Sequence, residues 1–236
     1  MELGISEQKI AVIINGAERL SAIDGETIAL QRKRLGIGDD QTVLVMNARL
    51  ETYKGHIWFF EAIKELIDEG VPIKVLLLGD GSERAHLSEL ASAYGIDDAV
   101  IFTGFVDNVA TYMNLAHINI NCSTGTETSS LALSEGMSLG LPAIVSDYGG
   151  NPYMVRHGEN GFVCPVYAHS TLARYVKMLI NDSSLYAAMS QAAMRRFETE
   201  LNAQAMTKNT TALYDGLYLV SKKRGHMPSI FVDIEK

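Results

Sequence analysis

Two carboxylates, Glu127 and Glu135, are the side chains whose type and spacing first suggest chemistry. Glu127 falls in a polar loop, and Glu135 follows it inside a predicted short helix with apolar neighbours on both faces. A carboxylate in such surroundings is costly unless something hydrogen-bonds it, and residues 85–155 contain no Lys or Arg. Three alternatives follow: Glu135 reaches a distant base, awaits a ligand with hydroxyl donors, or is a solvated glutamate on a helix face.

Two cations, Arg49 and Lys54, directly follow the first predicted strand of the sheet. They are either two solvated surface side chains or a pair that converges on one diphosphate, Arg by a two-pronged contact and Lys as a point charge. The helix that carries the second carboxylate begins with the amides of Ser129, Ser130 and Leu131, which predict an anion site. Together these features suit a diphosphate with a sugar at one end and a ribose at the other.

The other polar motifs predict no catalytic or metal centre. Gly79 and Gly81 resemble a phosphate-binding loop only loosely, because neither the P-loop nor the GxGxxG pattern is complete, and a plain strand-to-helix turn explains them equally well. The six histidines are scattered without metal-ligand spacing, and the HExxH and GxSxG motifs are absent. We therefore expect no metal in the site.

Composition limits the classes of protein that the chain can represent. Its 236 residues, 47% of them hydrophobic, suffice for one large domain with a core. A formal net charge of −8 argues against a general nucleic-acid binder but leaves room for a small phosphate-bearing ligand. Cys122 and Cys164 predict buried thiols rather than a disulfide. No apolar segment is long enough to span a bilayer and no signal peptide is evident, so we expect a cytoplasmic protein.

The elements that must position these residues alternate between strands and helices. The hydrophobic pattern predicts strands at residues 9–15, 43–46, 73–78, 100–102, 118–121, 143–146 and 161–163. It predicts helices at residues 56–69, 83–94, 109–115, 172–180, 185–197 and 203–220, and a helical tendency over residues 17–41. A further short helix is capped by Ser129 or Ser130 and ends at Gly140 and Pro142.

Strands this short and apolar, with helices between them, predict a doubly wound parallel sheet buried on both faces. Ligands bind such sheets outside the carboxyl ends of the strands. The loops that meet there are residues 47–56, 79–84, 103–108, 122–130 and 147–152.

An ordered series of motifs covers residues 9–218: VIINGAE, NARLETYKG, LLLGDGSER, FTGFVDN, the Glu127-x7-Glu135 pair, GLPAIVSDYGGNP and HGENGFVCP. Each motif is weak alone, but the ordered set is specific. It resembles the C-terminal, donor-binding domain of the family 4 retaining glycosyltransferases, which have the two-domain GT-B fold. The resemblance implies an α/β, Rossmann-like doubly wound parallel sheet flanked by helices. It also implies a linker strand and turn (1–16), a nucleotide-sugar-binding domain (17–221) and a mobile tail (222–236).

The resemblance implies a role for each matched residue. Arg49 and Lys54 would hold the donor diphosphate and stabilise charge on the departing nucleotide, and Glu127 would bind hydroxyls of the transferred sugar. These three are the catalytic candidates. The nucleotide-sugar-binding candidates are Glu135 for the ribose hydroxyls, the amides of Ser129, Ser130 and Leu131 for the distal phosphate, and Gly79, Phe105 and Val106 beside the base.

The activity implied by the resemblance is that of a hexosyltransferase. Such an enzyme moves a sugar, with retention of anomeric configuration, from a nucleotide-diphosphate donor to a glycan or lipid-linked acceptor, as in polysaccharide biosynthesis. It needs no cofactor and no metal, and the breadth of the family favours UDP over GDP. The resemblance also implies that the N-terminal acceptor domain is absent from this chain, that the isolated domain is inactive, and that any association with a membrane runs through the absent domain.

Two departures from the family pattern keep an alternative open. Thr128, Ser129 and Ser130 stand where a Gly and a small residue often follow the first Glu, which suggests a tight backbone approach, and Tyr153 replaces a common acidic residue. These departures leave room for a non-catalytic nucleotide-sugar sensor or scaffold that acts through a partner. A GT-B-type epimerase would need a pattern of catalytic acids and histidines that the sequence does not show.

Overall fold

Six parallel strands form one sheet in the part of the chain that the computed structural model describes, which is residue 6 and residues 9–223. Every neighbouring pair of strands is parallel. The strands are β1 (Thr42–Asn47), β2 (Ile73–Leu78), β3 (Val100–Gly104), β4 (Ile118–Asn121), β5 (Ala143–Ser146) and β6 (Gly161–Cys164). All six were predicted from the sequence, three of them with the observed bounds.

Nine helices flank the sheet within the same residues: α1 (Gly25–Arg34), α2 (His56–Asp68), α3 (Arg84–Tyr94), α4 (Val109–Met113), α5 (Leu131–Ser138), α6 (Asn151–Met154), α7 (His169–Asn181), α8 (Ser183–Arg196) and α9 (Ala203–Lys223). A 3-10 turn at Thr52–Lys54 and a π-helical turn at Phe197–Leu201 complete them. The pattern did not predict α6 or either turn, because segments of three to five residues are too short to show a period.

The strands are buried on both faces, as the absence of polar alternation predicts. In β1, Leu44 and Met46 pack on one side with Phe59 and Phe60 of α2, in a cluster that also includes residues of α3 and α7. The alternate residues of β1 belong to a separate cluster with α4 and the segment that follows α1. Cys122 and Cys164 are buried free thiols, which confirms that prediction. The doubly wound α/β architecture is therefore confirmed.

The order of the strands in space, β3-β2-β1-β4-β5-β6, creates a crevice between β1 and β4. From β1 the chain moves outward through β2 and β3, and it then returns to the other side of β1 to form β4, β5 and β6. The loops that follow β1 and β4 therefore lead away in opposite directions. In open α/β sheets this reversal of order is where ligands bind, at the carboxyl ends of the strands.

Helix α5 begins and ends as its sequence predicts. The hydroxyl of Ser130 accepts a hydrogen bond from the amide of Leu133 and caps the N-terminus. Gly140 adopts a left-handed φ of 78° just after the last turn, and Pro142 then leads directly into β5. This short helix therefore carries its first turn to the carboxyl edge of the sheet, beside the loop that follows β4.

The linker strand predicted at residues 9–15 is wrong: residues 10–16 have no regular secondary structure. Val12 is 84% exposed, so its apolar side chain has no sheet to join. The backbone instead bonds to side chains, with the amide of Asn15 donating to Ser129 Oγ and that of Gly16 to Met206 Sδ. Directly after this segment, Ala17 makes an isolated β-bridge to Asn202.

The predicted boundary of the tail at residue 222 also needs correction, because α9 continues to Lys223. Residues 224–236, the rest of the predicted tail, lie outside the described residues. Over residues 17–41 the helical tendency produces only α1. Among the helices that the structure describes, none combines the length and the apolar character that crossing a membrane requires.

Candidate functional site

Glu127 lies in the loop that follows β4 and accepts three hydrogen bonds at one carboxylate oxygen, Oε2. The donors are Lys54 Nζ at 2.9 Å, Ser123 Oγ at 2.8 Å and Asn121 Nδ2 at 3.2 Å. The side chain of Glu127 is 8% exposed and that of Lys54 16%. The ion pair is therefore largely removed from water, at the point where β1 and β4 diverge.

The hydrogen bonds keep this carboxylate charged. Burial on its own would raise the pKa of Glu127, but the bonds from Lys54, Ser123 and Asn121, together with the charge of Lys54, lower it from its usual value. A buried ion pair rarely adds much stability over apolar packing. The stability of the fold is therefore a weak explanation for this ion pair.

Lys54 reaches Glu127 because the 3-10 turn after β1 lies directly against the end of β4. Gly55 ends this turn with a φ of 77°, and a Cβ there would lie 2.0 Å from the carbonyl oxygen of Cys122. The amide of Thr124 donates to the Tyr53 carbonyl at 2.7 Å. Glycine is therefore required at position 55, since both the conformation and the close approach exclude a side chain.

Arg49 and Lys54 both lie beside the ring of Tyr53. The guanidinium carbon of Arg49 is 5.9 Å from the ring centroid and Lys54 Nζ is 5.6 Å from it. Arg49 also donates a hydrogen bond to the Tyr53 hydroxyl. The two predicted cations are thus held near one aromatic ring, with Lys54 half-buried and Arg49 exposed. That they bind one diphosphate stays a prediction.

His56 is a buried neutral group next to this cation pair. Burial, and secondarily the charge of Lys54, lower the pKa of its imidazole to about 4. Neither ring nitrogen has a hydrogen-bond partner among the described residues. The ring therefore adds no positive charge beside Lys54 at neutral pH.

Glu135, on α5, has an amide for a partner rather than a base. Asn47 Nδ2, at the end of β1, donates to Glu135 Oε2 at 3.3 Å. Burial raises the pKa of Glu135, and the Asn47 bond opposes that shift only in part. Among the described residues no base pairs with Glu135, and the residue is half-buried rather than a fully solvated glutamate on a helix face.

The start of α5 carries the three residues whose amides were predicted to bind an anion. Ser130, one of the two predicted caps, is the N-cap, and Leu131 is exposed. Ser129 directs its hydroxyl to the amide of Asn15, so it ties the segment before the domain to this loop. The sequence did not predict that contact, which joins residues more than a hundred positions apart.

The two glycines after β5 pack on the backbone that carries Glu127. The amide of Gly150 donates to the Glu127 carbonyl at 3.1 Å, and a Cβ at Gly150 would lie 1.4 Å from the carbonyl oxygen of Thr128. Thr126, two residues earlier, has a φ of 44°. A bulky residue in that conformation indicates a constrained loop, and the backbone of Gly150 lies close against this loop.

A cavity of about 460 Å³ lies along this loop. Its walls include Glu127, Ser129, Gly150 and Tyr153 on one side and the segment from residues 12–15 on the other. This volume is within the roughly 300–1,000 Å³ range of small-molecule sites. Tyr153, the second departure from the family pattern, is exposed at this wall.

Gly79, Phe105 and Val106 lie at the ends of β2 and β3, on the other side of β1. Gly79 has a φ of 132°, and a Cβ there would lie 2.3 Å from the Ala48 carbonyl oxygen. Phe105 is 80% exposed, and Val106 packs against the core. Gly79 thus packs against the loop that leads to Arg49, and none of the three residues contacts Glu127 in the described hydrogen bonds.

Sequence reasoning missed four polar residues of the site: Asn47, Tyr53, Asn121 and Ser123. Each occurs in or beside a loop that the rule on strand ends had selected, so position was the available signal. Asn and Ser side chains at strand ends are common, however, and type alone does not distinguish a site residue from a turn former. No group of three or more His, Cys, Asp or Glu able to hold a metal occurs among the residues that the structure describes.

Comparison with known proteins gives the family of this chain. Residues 27–196 match the family described as "Glycosyl transferases group 1". N-acetyl-alpha-D-glucosaminyl L-malate synthase of Bacillus anthracis is 27% identical over 183 residues, which are 78% of this chain and 48% of that enzyme. The chain spans about half the length of the curated relatives it matches.

Solved structures show the same fold. Anabaena Alr3699/HepE, determined in complex with UDP and glucose, superposes with a TM-score of 0.82 at 22% identity, covering 90% of this chain and 58% of that one. The C-terminal domain of LpcC, a glycosyl transferase group 1 family protein of Francisella tularensis, gives a TM-score of 0.68 at 20% identity, covering 79% of this chain and 99% of that one. The expected Rossmann-like fold of GT-B glycosyltransferases is confirmed. Because the family match covers more than half of the chain, the chain belongs to the glycosyl transferases group 1 family.

Proposed function

We propose that this chain is the nucleotide-sugar-binding half of a retaining glycosyltransferase. It would hold a nucleotide-diphosphate sugar while the sugar passes, with retention of anomeric configuration, to a glycan or lipid-linked acceptor. The observation that carries the proposal is the ion pair of Lys54 with Glu127 in the crevice between β1 and β4. Family membership supports the transferase class, and the UDP and glucose bound to HepE support a uridine donor.

Lys54 and Arg49 are the groups that we assign to the diphosphate. The ammonium of Lys54 has three N–H donors, so it can bond to a phosphate oxygen and keep its contact with Glu127. Arg49 is exposed beside it and can approach a second phosphate oxygen. Fixed cations at a departing diphosphate stabilise the charge that develops in the transition state, which is commonly the largest catalytic contribution.

Glu127 is the group that we assign to the transferred sugar. The three described hydrogen bonds all reach Oε2, so we assign Oε1 to the sugar hydroxyls. The lowered pKa of Glu127 keeps the carboxylate ionised, and hydrogen bonds from hydroxyls to an ionised acceptor are stronger than neutral ones. Lys54 therefore serves the phosphate and orients the carboxylate at the same time.

The remaining assignments place the nucleotide along the same edge of the sheet. Glu135 would bind the ribose hydroxyls, which replace the solvation that its carboxylate has lost. The amides of Ser129, Ser130 and Leu131 would bind the distal phosphate at the start of α5. The loops of Gly79 and of Phe105 and Val106 would flank the base, with the exposed Phe105 ring available for stacking.

The acceptor site we assign to a second, N-terminal domain. The chain spans about half of its curated relatives, and it covers nearly all of the LpcC C-terminal domain. Closure of two domains excludes water and positions an acceptor. The chain alone is therefore expected to bind a donor weakly and to transfer little sugar.

Turnover of the two-domain enzyme tests these roles. We expect Lys54→Ala and Glu127→Ala each to lower kcat by about a hundredfold or more, because preorganised charge at the reacting centre is lost. Lys64→Ala is the matched control, since Lys64 only forms an exposed pair with Asp68 on α2. Rates near wild type in both site variants would contradict the assignment. Donor binding without any transfer by the two-domain protein would instead support the sensor.

A further inference from the structure

A second cavity, of about 530 Å³, opens at the same edge of the sheet and shares no lining residue with the cavity at Glu127. Its walls come from the turn after β1, the first turns of α2, the loop after β4 and the loop after β6. The assignments made above for the donor nucleotide leave it unused. Its volume is within the roughly 300–1,000 Å³ range of small-molecule sites.

Three aromatic side chains line this cavity: Tyr53, Trp58 and Tyr167. Trp58 is buried and its indole N–H donates to the Cys122 carbonyl at 3.0 Å, so the position of the ring is fixed and its remaining surface is apolar. Tyr167 is 67% exposed. Its φ of 64° is an uncommon, strained conformation for a bulky residue, and such strain tends to occur where ligands are held.

The polar groups of the cavity are a carboxylate and hydroxyls. Glu61 lies on the wall provided by α2, held 3.3 Å from His169 Nδ1, and Thr52 and Thr124 also line the cavity. No Lys or Arg lines it. While its neighbour His169 is neutral, the Glu61 carboxylate accepts hydrogen bonds from neutral hydroxyl groups and repels phosphates and sugar acids.

We propose that this cavity binds one unit of a neutral oligosaccharide. A pyranose ring has apolar C–H faces that fit aromatic rings and an edge of hydroxyl groups that fits Glu61 and the threonines. The assignment of this oligosaccharide as a remote part of the acceptor, whose reacting end would lie in the second domain, rests on the proposed function. Tyr53 connects the two sites, because its ring lies beside Arg49 and Lys54. A glycan held here would extend toward the donor.

The fluorescence of Trp58 tests the proposal directly, because it is the single tryptophan of the chain and it lines the cavity. We would titrate the 236-residue chain with maltotriose, mannotriose, chitotriose and the acidic trigalacturonate. The expected result is a saturable change in emission with at least one neutral trisaccharide and none with trigalacturonate. No saturable change with any neutral probe, or an equal response to the acidic one, would overturn the proposal.

Substitutions test whether the trisaccharide that changes the Trp58 emission binds in this cavity. Tyr167→Asn removes the ring but keeps a residue that tolerates the left-handed conformation. The substitution should weaken binding of the trisaccharide about five- to tenfold. Glu61→Gln should also weaken binding. Tyr214→Ala removes an exposed tyrosine of α9 and should leave the affinity for the trisaccharide unchanged. With folding confirmed by circular dichroism, wild-type affinity in Tyr167→Asn would overturn the proposal.

Lys54→Ala separates this site from the donor site. That variant should weaken nucleotide binding at least tenfold and keep the trisaccharide response, since Lys54 does not line the cavity. If the wild-type chain binds trisaccharide but no nucleotide, the proposed function fails and the saccharide site stands. If it binds nucleotide but no trisaccharide, the saccharide site fails and the proposed function stands.

Discussion

At the scale of residues, the two carboxylates of the site differ in their partners and therefore in their pKa values. Glu127 accepts three hydrogen bonds, one of them from a cation, and the pKa of its carboxyl is lowered. Glu135 accepts one bond from an amide, and burial raises its pKa. The first is thus satisfied within the chain, whereas the second has lost part of its solvation to burial and has one neutral partner.

Glu135→Gln should act in opposite directions on stability and on binding. A folded-state pKa above the unfolded value means that the ionised carboxylate destabilises the fold above that pKa and that this cost disappears as pH falls through 4.5, the usual value. The variant should therefore unfold at a slightly higher denaturant midpoint at pH 7, with no difference in acid. Its affinity for the nucleotide should fall about tenfold, because hydrogen bonds to a charged group are lost.

Denaturant unfolding at several pH values and calorimetry check these two effects. Asn47 can still donate to the new amide oxygen, so the internal contact is preserved. A variant that is less stable than wild type at pH 7 would show that Glu135 serves the fold. Unchanged nucleotide affinity would remove Glu135 from the ribose.

At the scale of elements, the site depends on close approaches of backbone that leave no room for a side chain. Gly150, after β5, contacts the loop after β4, and Gly55, after β1, contacts the end of β4. The loops after three neighbouring strands are thus held together by contacts at glycine. The rigidity of Glu127 follows from these contacts as well as from its hydrogen bonds.

Gly150→Ala should destabilise the protein by about 3 kcal/mol or more, because the new Cβ would lie 1.4 Å from the backbone oxygen of Thr128, which cannot rotate away. The φ of Gly150 is −82°, so any loss of stability comes from the steric clash of the new Cβ and not from an unfavourable backbone conformation. Gly25→Ala is the matched control, since Gly25 starts α1 with nothing near its Cβ position. Denaturant midpoints at constant slope measure both. Equal stability of the two variants would refute the packing argument.

The elements themselves could largely be predicted, because their local signals agree with the fold. The strands are short apolar runs between turn residues, and α5 has a capping serine and a terminal glycine and proline. The segment at residues 9–15 has the same apolar composition as a strand but failed as one. Pairing depends on a free sheet edge within reach, which a local pattern does not reveal, and this segment is held instead by Ser129 and Met206.

At the scale of the whole molecule, the order of the strands explains why the site lies where it does. Residues 47–54 and 121–127 are distant in sequence, yet β1 and β4 are neighbours in the sheet. The sequence could identify the carboxyl edge of the sheet and the charged residues on it. It could not give the pairing of Lys54 with Glu127 or the role of Asn47, because these depend on which strands are adjacent.

The central claim is that the crevice between β1 and β4 binds a nucleotide diphosphate through Lys54. Calorimetric titration of the chain with UDP, GDP, ADP and their common sugar conjugates tests it most directly, with Lys54→Ala and the exposed control Lys64→Ala measured alongside. The account predicts saturable binding of one nucleotide class, with UDP favoured. It also predicts that affinity falls at least tenfold in Lys54→Ala, because a charged hydrogen bond is lost, and is unchanged in Lys64→Ala. Equal affinity in Lys54→Ala and wild type, or no binding of any nucleotide by the folded chain, would contradict it.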